Sequence, residues 1–318
     1  MKHPRSILAS SLAASVLALS GCGEILYPVP PPAIYVTTGT PSQILAFSSN
    51  ANGNPSPVSA ITLPSGFAAG YIAGDSAGNL YVSTSSDIRE YPAGATGSAA
   101  PARILPADAT TTIANITGFT ADSAGNIYVS EFNAGIAIFP GTANGSVAPA
   151  RFIRVGTSSG LVFPEALATD SAGNLYVANF NQSGQGSIFV FGPTANGDVA
   201  PARILNVSTT GMAVDGSGNL FTTANGGIAV FAPQASGNAA PIRTIRGTAT
   251  GFARFTGGIA VDANANIYVV TWGTLLYNAL PVTPTILQFS ASASGNTAPT
   301  NAFTPATWIP SIPVLAVH

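Results

Sequence analysis

Apolar residues along this chain come in short runs of four to six, rich in Ile, Val, Tyr and Phe, with Gly, Asn, Pro or Ser at their borders. Such runs predict short antiparallel strands, and no stretch carries an apolar period of 3.6 over a useful length. The clearest set is GFTAD from Gly118, NIYVSE from Asn126, IAIF from Ile136 and ARFIRV from Ala150. These are four strands within one compact unit.

The unit repeats. DSAGNLYV at 75–82, DSAGNIYV at 122–129, DSAGNLYV at 170–177, DGSGNLFT at 215–222 and DANANIYV at 262–269 begin 47, 48, 45 and 47 residues apart. About a dozen residues after each comes a second motif, an apolar alternation ending in an aromatic, a small-residue turn and Ala-Pro-x-Arg. Examples are IFVFGPTANGDVAPAR from Ile188 and IAVFAPQASGNAAPIR from Ile228; in the last copy, from Ile286, Asn301 replaces the arginine. Near the start, IYVTTG at 34–39 and ILAFSSNANGNPSPVS from Ile44 supply a sixth unit that lacks its opening strand.

A period in the 40s with four antiparallel strands per unit describes a blade of a β-propeller. PVLAVH from Pro313 matches GGIAVD at 257–262, with His318 in the place of Asp262. A C-terminal strand that completes the first blade would close the ring and remove an open sheet edge. The expected fold is therefore all-β, a six-bladed propeller of four-stranded blades over residues 34–318. Composition agrees: blades cover each other on both faces, which suits 46% hydrophobic and only 7% charged residues.

The N-terminus carries a separate signal. Lys2 and Arg5 precede an apolar core from Ile7 to Leu19, too short to span a bilayer, and then Leu19-Ser20-Gly21-Cys22, with the chain's single cysteine. This resembles a bacterial lipoprotein leader, which implies cleavage after residue 21 and lipidation of Cys22. The Pro-rich stretch 22–33 then reads as a tether to the membrane. Gly23 in place of aspartate resembles lipoproteins sent to the outer membrane of Gram-negative cells. The expected localisation is the cell envelope. Processing leaves eight arginines, no lysine and twelve acids, a net charge of −4, which disfavours nucleic acid as a partner.

The run GGIAVDANANIYVV from Gly257, followed by strands like IAVF at 228–231, is similar to the NHL class of six-bladed propellers, without the basic third-strand signature common there. That wider group includes metal-dependent lactonases and lyases as well as binding scaffolds. The repeated Asp75, Asp122, Asp170, Asp215 and Asp262 suit a turn, accepting hydrogen bonds from amides further along, better than a calcium site, which needs more oxygen ligands. In the sixth blade Ala265 sits where the others have glycine, so that turn must differ or be strained. Arg103, Arg151, Arg203 and Arg243 suit packing of their stems at the blade rim.

Catalytic raw material is thin. With His3 removed, His318 is the sole histidine, and Cys22 is committed to lipid. No cofactor and no metal ligand set is expected. An acidic channel site, as in the lactonase-like alternative, would fall to Glu131 and Glu165. Between units, the turns joining strands one to two and three to four hardly vary, whereas those joining two to three and blade to blade do. Both variable sets emerge on one face. Phe132, Asn133, Phe180, Asn181, Gln182, Trp272 and Tyr277 lie there and suit contact with a protein or glycan. The leading expectation is a monomeric, lipid-anchored binding or scaffold protein, with a hydrolase or lyase as the alternative.

Overall fold

The computed structural model describes residues 33–38, 42–84, 86–224, 226–253, 255–272, 284–306 and 315–317. Cys22, the leader, the tether up to residue 32, Tyr277 and His318 lie outside them, as does the side chain of Trp272, while Ala33, expected in the tether, already belongs to the first strand. The described strands form six four-stranded antiparallel sheets. Blade two runs from its inner to its outer strand as Ile72–Gly74, Leu80–Ser83, Asp87–Tyr91 and Arg103–Pro106. Blade three follows with Ile116–Ala121, Ile127–Glu131, Gly135–Phe139 and Arg151–Arg154, and blade four with Phe163–Thr169, Leu175–Phe180, Gly186–Phe191 and Arg203–Leu205. Blade five is Gly211–Val214, Leu220–Ala224, Gly227–Phe231 and Arg243–Ile245, and blade six Phe255–Val261, Ile267–Trp272, Thr285–Phe289 and Asn301–Phe303.

Blade one is assembled from both ends of the chain. Ala33–Thr38, Gln43–Ser48 and Ser59–Thr62 are its second to fourth strands, and Leu315–Val317 pairs with the first of these as the missing inner strand, Ile34 opposite Val317 and Val36 opposite Leu315. The ring is therefore closed by the C-terminal strand, as the sequence predicts.

The core is divided into six apolar clusters, one at each blade interface. Alternation along each strand feeds both neighbours: Tyr128, Ile136 and Ile138 of blade three pack toward blade four, while Ile127, Val129 and Ala137 pack toward blade two. That is why both faces of a strand are apolar here.

Both sequence repeats are explained by hydrogen bonds. In the octapeptide, Asp122 Oδ1 accepts from the amides of Ala124 and Asn126 at 2.9 Å each, and Oδ2 accepts from Asn126 Nδ2 at 2.8 Å and Tyr128 Oη at 3.0 Å. The same carboxylate network recurs at Asp75, Asp170 and Asp262, and at Asp215 without the phenol, since Phe221 replaces the tyrosine. Ala265 keeps this turn instead of changing it. Its φ is 60° and its N–H still reaches Asp262 O at 2.9 Å, so the strain expected at a non-glycine residue is present.

In the second motif the turn glycine docks on the outer strand of the preceding blade. Gly197, with φ 75°, donates to Phe152 O at 2.8 Å and accepts from the Arg154 amide at 3.0 Å. Equivalent bridges run around the ring, including Gly53 to Ala302 O at 2.8 Å across the closure. They cover strand edges that would otherwise be open. The arginine that follows is an inter-blade staple: Arg203 Nη1 donates to Pro233 O of the next blade at 2.7 Å, and its guanidinium lies 5.8 Å from the Tyr176 ring centroid. The sequence predicts stem packing; the structure adds that the donors are taken up by neighbouring carbonyls. Where Asn301 stands in for arginine, it instead donates to Gln288 Oε1 within its own blade at 2.7 Å.

Candidate binding site

The inner strands all start on the variable-loop face and run toward the DSAGN turns. Each presents one unpaired edge to the central channel, a cavity of about 790 Å³. Edge N–H and C=O groups need partners, and hydroxyls of the preceding blade supply some of them: Thr117 Oγ1 donates to Pro164 O at 2.6 Å and Thr210 Oγ1 to Thr256 O at 3.2 Å. Its mouth on the variable face is lined by Tyr71, Thr117, Glu165, Thr210 and Thr256.

Three inner strands carry a β-bulge at this level, in blades three, four and six. A bulge breaks the alternation that would aim every side chain at a neighbouring blade, and it can re-aim one residue. In blade four, Glu165 and Ala166 together oppose the single position between Val177 and Asn179. Glu165 consequently lines the cavity and is exposed. Counting back from the turn aspartates, its equivalents in blades two, three, five and six are Gly70, Thr117, Thr210 and Gly257. Glu165 is the one charged residue in this set. Its side chain meets no cation and accepts no hydrogen bond among the described residues. The confining walls hold its pKa above the usual carboxylate range, and its charge adds to the effect of burial in raising the nearby Tyr71 phenol.

Glu131 is placed differently. Ser130 turns toward blade four and donates its hydroxyl to Glu165 O at 2.7 Å, so the next side chain, Glu131, turns toward blade two. Glu131 is 4% exposed, Oε1 has no hydrogen-bond partner among the described residues, and burial pushes its pKa up to about 7. Neither carboxylate figures in the other's shift, and Glu131 does not line the cavity. Glu165 therefore faces the cavity while Glu131 is enclosed. Among the described residues no three His, Cys, Asp or Glu side chains converge as metal ligands.

The predicted binding residues separate in the same way. Phe132 is 50% exposed and stacks on Phe163, with centroids 5.2 Å apart and planes 14° from parallel. Asn133 follows in a left-handed conformation, φ 60°, that shapes the hairpin tip. Phe180 is the register partner of Phe163 but packs against the cluster between blades four and five. Asn181 Oδ1 accepts from the amides of Ser183 and Gln185, at 2.9 and 3.0 Å, and so serves its own turn; Gln182 is exposed. Trp272 ends the second strand of blade six, its backbone paired with Phe255.

Two features escaped the sequence reading. Phe163, in FPEALATD, reads as an ordinary strand residue until the bulge is known. The other is a buried group at the corresponding end of blade two. Asp87 and Arg89, 7% and 6% exposed, form an ion pair, with Arg89 Nη2 2.8 Å from Asp87 Oδ2 and Nε 3.0 Å from each carboxylate oxygen. Arg89 also lies 3.8 Å from the Phe67 ring centroid. The spacing Asp87-x-Arg89 at the start of a strand was the available signal.

Comparison with known proteins supports the fold. No family model and no curated protein matches the chain. Among solved structures, a protein of unknown function from Bacteroides caccae superposes with a TM-score of 0.60 at 12% identity, covering 91% of this chain and 99% of its own. The Nidogen/Laminin complex gives 0.59 at 15% identity over 90% and 98%, and the WD40 β-propeller domain of Doa1 gives 0.54 at 12% over 90% and 82%. At such identities the likeness is one of architecture alone.

Proposed function

We propose that this protein is an exported, lipid-anchored propeller that acts as a non-catalytic interaction module and holds a protein partner on its variable-loop face. The observation that carries this reading is the half-exposed Phe132 stacked on Phe163 beside the channel mouth, on the face where the loops differ from blade to blade. Exposed aromatics set on a rigid frame are the usual anchors of binding surfaces. Propellers named for a complex and for a WD40 domain share the architecture, which fits the reading. A lipid on Cys22, exposed by cleavage of the lipoprotein-like leader after residue 21, and the Pro-rich tether would hold that face clear of a membrane.

A photo-crosslinking residue at position 132 of the full chain, in its bacterial host, tests the binding face. One or a few discrete protein adducts are expected, absent when the same residue is placed at 144 in a three-to-four turn. Equal, diffuse labelling at both positions would refute the assignment. Adducts to glycan alone would replace the protein partner. For the anchor, Cys22→Ser is expected to move the protein out of the detergent phase on phase partition. An unchanged partition would remove lipidation from the reading.

A further inference from the structure

Resting on the binding face just proposed, we infer that the site between blades three and four recognises an arginine side chain of the partner, its guanidinium meeting the Glu165 carboxylate and an exposed phenylalanine face of the Phe132–Phe163 pair. Glu165 and Phe163 lie two residues apart on one inner strand, roughly 6–7 Å of chain, so the acid and the ring pair belong to the same end of the same blade. The carboxylate projects into the cavity and has no cation or hydrogen-bond donor among the described residues. An acid in that position, beside stacked rings with an exposed face, is complementary to a flat delocalised cation. Such a cation pairs with a carboxylate through two N–H donors and stacks on an aromatic face.

The molecule builds the complete arrangement once within itself. In blade two, Arg89 grips Asp87 through Nε and Nη2 and covers the Phe67 ring at 3.8 Å. At the junction of blades three and four the acid and the aromatics are both present and the arginine is not supplied among the described residues. The position of Glu165 is occupied by glycine or threonine in the other described blades, so the acid is a departure from the repeat and not part of the frame. The excess of acids over arginines after the leader favours a cationic partner over an anionic one.

The test is a two-dimensional NMR titration of the 15N-labelled chain with N-acetylarginine methylamide, with the neutral citrulline analogue and chitotriose as controls. The arginine probe is expected to shift the amides of Phe132, Phe163 and Glu165 saturably. Glu165→Gln should weaken it about tenfold or more, and Phe132→Ala several-fold. Both side chains are exposed, and unchanged spectra elsewhere would confirm that the variants fold. Equal shifts from the citrulline analogue or chitotriose, insensitive to Glu165→Gln, would keep the binding face and overturn the arginine. Absence of any shift at these amides with all three probes would overturn both. Concentration-dependent broadening of the same amides without probe would assign the surface to a second copy of the chain and overturn the proposal.

Discussion

Replacing Asp170 with alanine removes an acceptor for four hydrogen bonds, from Ala172 N at 3.0 Å, Asn174 N at 2.9 Å, Asn174 Nδ2 at 2.8 Å and Tyr176 Oη at 3.3 Å. Ala172 is exposed and recovers a water partner, whereas Tyr176 is 2% exposed and loses its acceptor. Hydrogen bonds to a charged group contribute about 1.5–3 kcal/mol each in favourable cases, and water offsets part of the loss, so a net cost of about 2–4 kcal/mol is expected. For a domain of this size that is roughly 5–15 °C in Tm. The assay is equilibrium urea unfolding followed by circular dichroism with a refolding check, because a closed ring can unfold irreversibly on heating. Asp170→Asn should fall between the two, since its oxygen can still serve the main-chain amides while its Nδ2 faces other donors. An unchanged midpoint would refute the argument. So would a wild-type midpoint raised by calcium and lowered by EDTA, with the variant insensitive to both, because the aspartate would then be acting as a ligand and not as the brace of a turn.

Three further outcomes follow from the same contacts. Ala265→Gly relieves a residue held at φ 60° and should raise stability by about 1 kcal/mol or slightly less, since glycine also gains freedom in the unfolded chain; a lower urea midpoint would contradict the strain. Arg203→Met keeps the apolar stem but leaves Pro233 O and Ala235 O without their donor, at a cost of about 1–3 kcal/mol in the same unfolding assay. Glu131 predicts a pH dependence. With a folded pKa of about 7 against an ordinary 4.5, the folded state binds the proton more tightly than the unfolded one, so this stabilising contribution is complete below about pH 4.5 and is lost as pH rises through 7. The loss is on the order of 3 kcal/mol, and Glu131→Gln should gain on the wild type by that amount between pH 5 and 8; parallel profiles would remove Glu131 as the cause.

Much of the frame is legible in the sequence because it is repeated. The turn aspartate, the glycine or alanine three residues on and the strand-two tyrosine recur, so their spacing marks the blades, while the partial first unit and the C-terminal match of PVLAVH to GGIAVD supply the sixth blade and the ring closure. The arginine of the second motif also repeats, but its hydrogen-bond acceptors are carbonyls 30 to 50 residues away in the next blade, and main-chain acceptors leave no mark in a sequence. Phe132 was legible for another reason: it stands in a hairpin whose length and content differ between blades. Phe163 was not, since its role depends on a bulge in the strand that carries it and on a ring from a different blade. Glu131 and Glu165 look alike as free acids, and only strand parity separates them, one toward blade two and one into the channel.

The places where the ring breaks its own symmetry are of two kinds. Asn301 and Ala265 depart from the repeat, yet each keeps its neighbourhood satisfied: Asn301 finds Gln288, and Ala265 holds the common turn at the cost of a strained φ. These substitutions are tolerated by the scaffold. Glu165 departs in the opposite sense. A glycine or threonine would serve the frame at that position, as it does in four other blades, and the glutamate brings a charge to the channel lining without a partner among the described residues. A residue that departs from the repeat and improves no packing is where a repeat protein is expected to carry function instead of structure. The same test applied to Glu131 gives a different answer, because its carboxylate is enclosed away from solvent and offers no surface to a ligand. Of the two acids, the one in the channel has both the exposure and the aromatic neighbour that recognition needs.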